Sequence, residues 1–290
     1  MATSRVQLRE LLGQDPEAFI RQSLLDQLAV LHVMTDQELL GENPESLHDF
    51  RVAVRTLRTR LKFYEPYFKN SAKIAGWLRE LKWLDAQIQP LRELEVQIEL
   101  FDEITQDTLQ KFASKATKHK ALTKRFLALR LELARPLFAT RQKMQFALMS
   151  ERKHRLLTVV KTGLLLAEIK PKKVLTLEAT LMAKLSKRTD RLQQLTSNPN
   201  FANQNFKQLH AARLNFKRTR YLAEAMGLAS KPFADSQTLL GEINDLANLA
   251  SWIRAKTAMQ ARLRKPISLV EENIQAKILA SRQNLLAVSG

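Results

Sequence analysis

Between Leu47 and Leu61 apolar residues recur at steps of three and four, as Leu47, Phe50, Val54, Leu57 and Leu61. Side chains at those steps share one face of an α-helix, so the pattern predicts a helix with a buried stripe. Similar patterns run through most of the chain. "QDPEAFIRQSLLDQLAVLHVM" predicts a first helix from about Pro16, with Asp15 as its cap and Pro16 in its first turn. Pro44, Glu45 and Ser46 end the "GENPES" break and start the second helix. A third runs from about Ser71 through "SAKIAGWLRELKWLDAQIQ", with Trp77, Leu78, Leu81 and Leu84 on one face. Pro90 then predicts a kink or break before "LRELEVQIELF", because proline lacks the amide donor and crowds the preceding turn. From Asp107 to Ile169 the pattern is long and basic, with a break predicted at Arg135 and Pro136. "EIKPKK" (168 to 173) reads as the main boundary and divides a half of residues 1–170 from one of residues 171–290. With only seven glycines and no alternating Val/Ile/Thr runs, the chain reads as all-α.

Past that boundary the pattern repeats. "LHAARLNFKRTRYLAEAMG" (209 to 227) places His210, Arg213, Lys217 and Arg220 each 162 residues after His48, Arg51, Arg55 and Arg58. Upstream, "LEATLMAKLSKRTDRLQQL" stands where "PEAFIRQSLLDQLAVLHVM" stood; downstream, "LLGEINDLANLASWI" takes the place of "IQPLRELEVQIELF". Two stripes in phase, with the same flanking elements in the same order, indicate an internal duplication.

The position of these cations on the helix matters more than their number. At about 100° per residue, the four shared positions and Lys62 fall within roughly 80° of arc. The apolar stripe lies directly beside them, and Leu209, Ala212, Phe216 and Ala223 do the same in the second copy. A solvated charge run would be centred opposite the apolar face. Like charges at these steps also weaken an isolated helix. The arrangement fits two readings: a face of structural ion pairs, to which Glu224, four residues after Arg220, would contribute, or a groove that grips an extended anion. His48 and His210 share a phase, which suits a common structural role or a hydrogen bond to a ligand.

Composition narrows the choice of ligand. The 290 residues include 47 Lys plus Arg against 29 Asp plus Glu, a formal net charge of +18 that favours a polyanionic partner: nucleic acid, an anionic membrane surface or a phosphate polymer. The absence of cysteine excludes disulfides, Cys-ligated zinc, iron–sulfur clusters and thiol catalysis. The five histidines show no spacing with carboxylates that resembles a metal site, and no cofactor is expected. "MATSRVQLRELLGQDPEAF" has acidic residues and no continuous apolar core of signal-peptide type. "LLTVVKTGLLLAEI" (156 to 169) is too short to cross a bilayer and is interrupted by Lys161, so a soluble, cytoplasmic protein is expected.

"LHDFRVAVRTLRTRLKFY" and "LHAARLNFKRTRY" resemble the two signature helices of the CHAD domain, a histidine-bearing α-helical family, and the resemblance covers nearly the whole chain. "LRELEV" (91 to 96) resembles the family's Arg-Asp-x-Asp-Val segment, and "LLGEINDL" (239 to 246) its second-half Leu-Gly-x-x-Asn-Asp counterpart. The resemblance implies two four-helix bundles related by a pseudo-twofold axis, with basic residues lining a central cavity or pore that binds inorganic polyphosphate. Carried over position by position, it implies contacts from Arg51, Arg55, Arg58, Lys62, Arg213, Lys217 and Arg220, with His48 and His210 orienting or donating, and with Lys82 and Arg92 in a second rank. The sequence departs from the family pattern at Thr56, at Glu93 and Glu95 in place of aspartates, and at Gln89 in place of a glycine. Thr56 falls outside the basic arc, and the two glutamates keep the charge on a longer side chain.

Two other functions fit the sequence less well. Nucleic-acid binding would use the basic middle, "KATKHKALTKRFLALR" (115 to 130), where Phe126 is the sole aromatic available for stacking and a solvated helix face is the plainer reading. Hydrolysis of polyphosphate or a triphosphate would need metal-holding carboxylates beside the cations. The chain has no Gly-rich phosphate loop, no Glu-x-Glu-x-Lys segment and no His-Asp cluster, and Glu93, Glu95 and Asp245 are expected to hold arginines in place. A non-catalytic polyphosphate-binding module is therefore the expectation.

Overall fold

The computed structural model describes residues 15–40, 45–170, 176–198, 200–225, 228, 230–259 and 264–289. Its α-helices are α1 (Pro16–Leu40), α2 (Ser46–Tyr64), α3 (Ser71–Gln110), α4 (Ala116–Ala134), α5 (Leu137–Met149), α6 (Glu151–Leu165), α7 (Leu177–Thr196), α8 (Phe206–Ala225), α9 (Lys231–Met259) and α10 (Arg264–Ser289). Short 3₁₀ turns, Glu65–Tyr67 and Phe201–Asn203, follow α2 and α7. Among the described residues there is no strand, and Phe68 and Ile169 form an isolated antiparallel bridge. No described helix is long and apolar enough to cross a membrane.

Local chemistry accounts for several helix ends. The Asp15 carboxylate accepts from the amides of Glu17 and Ala18, both at 3.0 Å, which satisfies donors left open at the start of α1. The predicted break at Arg135 and Pro136 separates α4 from α5. Two further interruptions carry weaker sequence signals: residues 111–115, and Ser150, whose hydroxyl caps α6 by accepting from the Lys153 amide. Pro90 does not end its helix. It lies inside α3, exposed, between the fully buried Ile88 and Leu91. Packing on either side outweighs the lost backbone bond, and Ala86, whose carbonyl would have taken the missing amide, is itself exposed. The "GENP" part of the first break (residues 41–44), residues 171–173 of "EIKPKK" and the chain before Asp15 fall outside the described residues.

The chain divides into two compact units. The first comprises the described residues within Met1–Arg92, Phe138–Lys187 and Tyr221–Ser230; the second, those within Glu93–Leu137, Arg188–Arg220 and Lys231–Gly290. In the first, α1 and α2 pack antiparallel: Arg60 donates to the Ser23 carbonyl at 2.9 Å and Gln27 to that of Ala53 at 3.5 Å. All five apolar stripe residues of α2 are buried, each contributing about 1.5–3 kcal/mol if its side chain is wholly removed from water. The end of α2 is tied to the end of α6 through Lys69 N to Glu168 O (2.9 Å) and Lys170 N to Tyr67 O (2.8 Å). Trp77 of α3 presses against α6 at Gly163, where a Cβ would lie 2.1 Å from the indole Cζ2, so this contact requires glycine.

The second unit holds two apolar clusters. In one, Phe101 and Ile104 of α3 meet Phe126 and Leu129 of α4, Ile253 of α9 and Ile274 of α10. In the other, Leu209, Ala212 and Phe216 of α8 pack with Phe201, Leu240 of α9 and Leu285 of α10. The apolar stripe predicted for the second copy is thus buried, as is that of α2.

Candidate functional site

The first basic stripe lies on α2. Because Leu47, Phe50, Val54, Leu57 and Leu61 are drawn into the core, the residues beside them are carried to its edge: Arg51, Arg55 and Arg58 are half-buried, while His48 and Lys62 are exposed. Their surroundings come chiefly from α3. The Arg51 guanidinium donates through Nη2 to the Gln89 side-chain carbonyl at 2.6 Å. Arg58 pairs with Asp85 through Nη1 and Oδ2, with both side chains mostly shielded from solvent. Arg55 donates to the Tyr221 hydroxyl at 3.3 Å.

Lys82, Asp85, Gln89 and Arg92 follow one another at steps of three, four and three, and so form a single stripe on α3. Two of them hold arginines of α2; Lys82 is exposed and Arg92 half-buried. Sequence reasoning singled out the two cations of this stripe and noted Gln89 only as a departure from a pattern. The regular spacing around Lys82 and Arg92 was the signal that could have found Asp85 and Gln89. Tyr221, which follows Arg220, left no such signal.

The second stripe lies on α8. Arg213, Lys217 and Arg220 are half-buried and His210 is exposed, again beside a buried apolar face. The exposed His210 donates through Nδ1 to the Asn244 side-chain carbonyl at 3.1 Å, and the Asn244 amide donates to Asp245 at 3.2 Å. With a carbonyl oxygen as its partner, Nδ1 is the nitrogen that carries the hydrogen of this bond. Arg213 lies over Gly241 of α9; a Cβ there would stand 3.7 Å from its Nε and 3.9 Å from its Nη2. That Nε is buried and no protein group accepts from it. Arg213 and Gly241 line a cleft of about 640 Å³ together with Gln237, Glu242, Asp245 and Lys277, among others.

Electrostatics of the two stripes differ in detail. Asp85 offsets the charge of Arg58, whereas the Gln89 and Tyr221 oxygens orient Arg51 and Arg55 without neutralising them. In the second unit, burial and then the charge of nearby Arg218 push the Arg188 pKa below its ordinary value. Among the described residues no group of three or more His, Cys, Asp or Glu side chains is placed to hold a metal ion.

The architecture and these stripes define a class, an all-helical protein presenting half-buried rows of arginine and lysine on two helices. The CHAD domain family pattern matches residues 22–254, and the chain belongs to that family. Two solved structures share its fold. PptA from Streptomyces chartreusis aligns with a TM-score of 0.71 at 14% identity, covering 93% of this chain and 97% of its own. The CHAD domain from the plant Ricinus communis aligns with a TM-score of 0.64 at 19% identity, covering 92% of this chain and 90% of its own. No curated protein sequence matches the chain.

Proposed function

We propose that this protein is a non-catalytic binding module for inorganic polyphosphate, gripping the polymer with His48, Arg51, Arg55, Arg58 and Lys62 on one helix and His210, Arg213, Lys217 and Arg220 on the other. The observation that carries this reading is the placement of both arginine-bearing stripes at the edge of the core, with three guanidinium groups of the first already oriented by Gln89, Tyr221 and Asp85. An oriented guanidinium loses little freedom when it grips two phosphate oxygens, and lysine adds a mobile point charge. A polymer without sequence needs no further readout. Membership in the CHAD family supports the same ligand, and the duplicated two-bundle architecture with a basic central pore belongs to this proposal through that resemblance. A role at polyphosphate granules in the cytoplasm would follow from the ligand.

The basic stretch of α4 supports nucleic acid less well. Lys115, Lys118, Lys120, Lys124 and Arg125 are exposed, as a solvated face requires, but Phe126 is only 3% exposed and packs in the core, out of reach of a base. The deciding experiment is a titration with long-chain polyphosphate, pyrophosphate and single-stranded nucleic acid at two salt concentrations. Tight binding of the long polymer, weakened by salt, is expected. Equal or tighter binding of nucleic acid would overturn the assignment, and orthophosphate release from polyphosphate with added magnesium would overturn its non-catalytic part.

A further inference from the structure

Gln89 and Gly241 occupy matching places. Each stands on the helix that flanks a basic stripe, Gln89 against Arg51 and Gly241 against Arg213, and Arg51 and Arg213 are the paired positions of the two copies. The match extends in register: Arg92 corresponds to Asn244, and Asp85, which pairs with Arg58, to Gln237, which lines the Arg213 cleft. One difference at this place changes what the arginine meets. The glutamine carbonyl accepts from Arg51 Nη2, whereas glycine leaves Arg213 against a cleft; the Nε of each arginine is buried without an acceptor.

We propose that Gly241 makes Arg213 the open phosphate subsite of the protein, and that Gln89 closes its counterpart at Arg51, so that the residue at this place sets how strongly each stripe grips. This rests on the polyphosphate reading and names the determinant within it. Both arginines keep a buried Nε without an acceptor, which is costly; a phosphate oxygen entering the cleft would reach the Arg213 guanidinium, whereas at Arg51 the Gln89 carbonyl already occupies Nη2. Glu99, Glu103, Glu242 and Asp245 all border the cleft and oppose an anion, and Lys277, its other cation, is paired with Glu103 at 2.7 Å and Asp107 at 2.9 Å. Glu242 accepts from Ser281 at 3.2 Å and Asp245 from Asn244, bonds that orient these carboxylates but leave their charge in place. Arg213 therefore acts against local repulsion, and occupancy should be sensitive to small changes there.

The test compares four variants by long-chain polyphosphate titration and, without ligand, by thermal melting. Gly241→Gln should weaken binding about tenfold while raising the melting temperature, because the new carbonyl takes the Arg213 donor. Gly241→Ala, whose Cβ makes ordinary contact with Arg213, should bind within about twofold of the unmodified protein. Gln89→Gly should strengthen binding by about threefold, and Glu242→Gln by about twofold. Unchanged affinity in a folded Gly241→Gln variant, or equal losses in Gly241→Ala and Gly241→Gln, would overturn the inference while leaving the polyphosphate reading intact. Failure of the unmodified protein to bind polyphosphate would instead remove the reading on which it rests.

Discussion

Arg51 and Arg213 hold the same place in two helices, yet one donates to a glutamine carbonyl at 2.6 Å and the other lies against a glycine. The same contrast separates Asp85, which pairs with Arg58, from Gln237, which stands four residues before Gly241 as Asp85 stands four before Gln89. Spacing along a helix is set by the need to keep an apolar face buried, and both helices keep it. What stands across from each cation is set by a different helix and differs between the two stripes. A repeated stripe therefore need not be a repeated site: Arg51 and Arg58 of the first are held by Gln89 and Asp85, whereas Arg213 of the second lies against Gly241 and a cleft.

The largest effect should come from removing both grips at once. Arg55→Glu combined with Lys217→Glu exchanges a cation for an acid in each stripe, and polyphosphate affinity should fall by about a hundredfold or more, since each charge-assisted contact is worth about 1.5–3 kcal/mol. Helical circular dichroism should be retained, because both side chains lie beside the apolar stripes rather than within them. Unchanged affinity in the folded double variant would exclude the stripes as the binding surface. The single variants sharpen the comparison, as a larger loss from Lys217→Glu than from Arg55→Glu would mark the second stripe as the stronger grip.

Asp85→Asn acts on stability and binding in opposite directions. Arg58 would exchange a charged partner for a neutral one at a mostly shielded place, which should lower unfolding stability by about 1–2 kcal/mol. The released positive charge should meanwhile strengthen polyphosphate binding by about threefold at low salt, with the gain shrinking as salt rises. Denaturant unfolding and a two-salt titration would check the pair of effects. Weaker binding would mean that Asp85 serves the site by holding Arg58 in its productive position, and the first stripe would then be an oriented grip rather than a muted one.

Much of this was legible in the chain. The helical periodicity, the Asp15 cap, the break at Arg135 and Pro136 and the placement of both cation stripes beside buried apolar faces all follow from local pattern, because each depends on residues within a few turns of one another. At Pro90 local pattern left a kink or a break open; the burial of Ile88 and Leu91, which carries α3 through the proline and excludes the break, is a tertiary effect. Gln89 and Asp85 act on residues 38 and 27 positions away, Tyr221 on one 166 positions away, and Gly241 by having no side chain at all. Local spacing marks where charges lie on a helix; only packing between helices decides which of them are spoken for.

Tyr221→Phe should give the smallest effect. The hydroxyl accepts from Arg55 at 3.3 Å, a long bond to a cation that keeps its charge either way. Tyr221 is buried, so the ring should stay in place when the hydroxyl is removed, at a cost of about 0.5–1.5 kcal/mol in unfolding stability. Polyphosphate affinity should change by less than about threefold, because Arg55 loses an orienting partner and no charge. Isothermal titration can resolve a change of that size, and its sign is informative. Weaker binding would show that the first stripe depends on orientation by its neighbours, whereas tighter binding would show that the tyrosine competes with phosphate for the guanidinium, as Gln89 is proposed to do at Arg51.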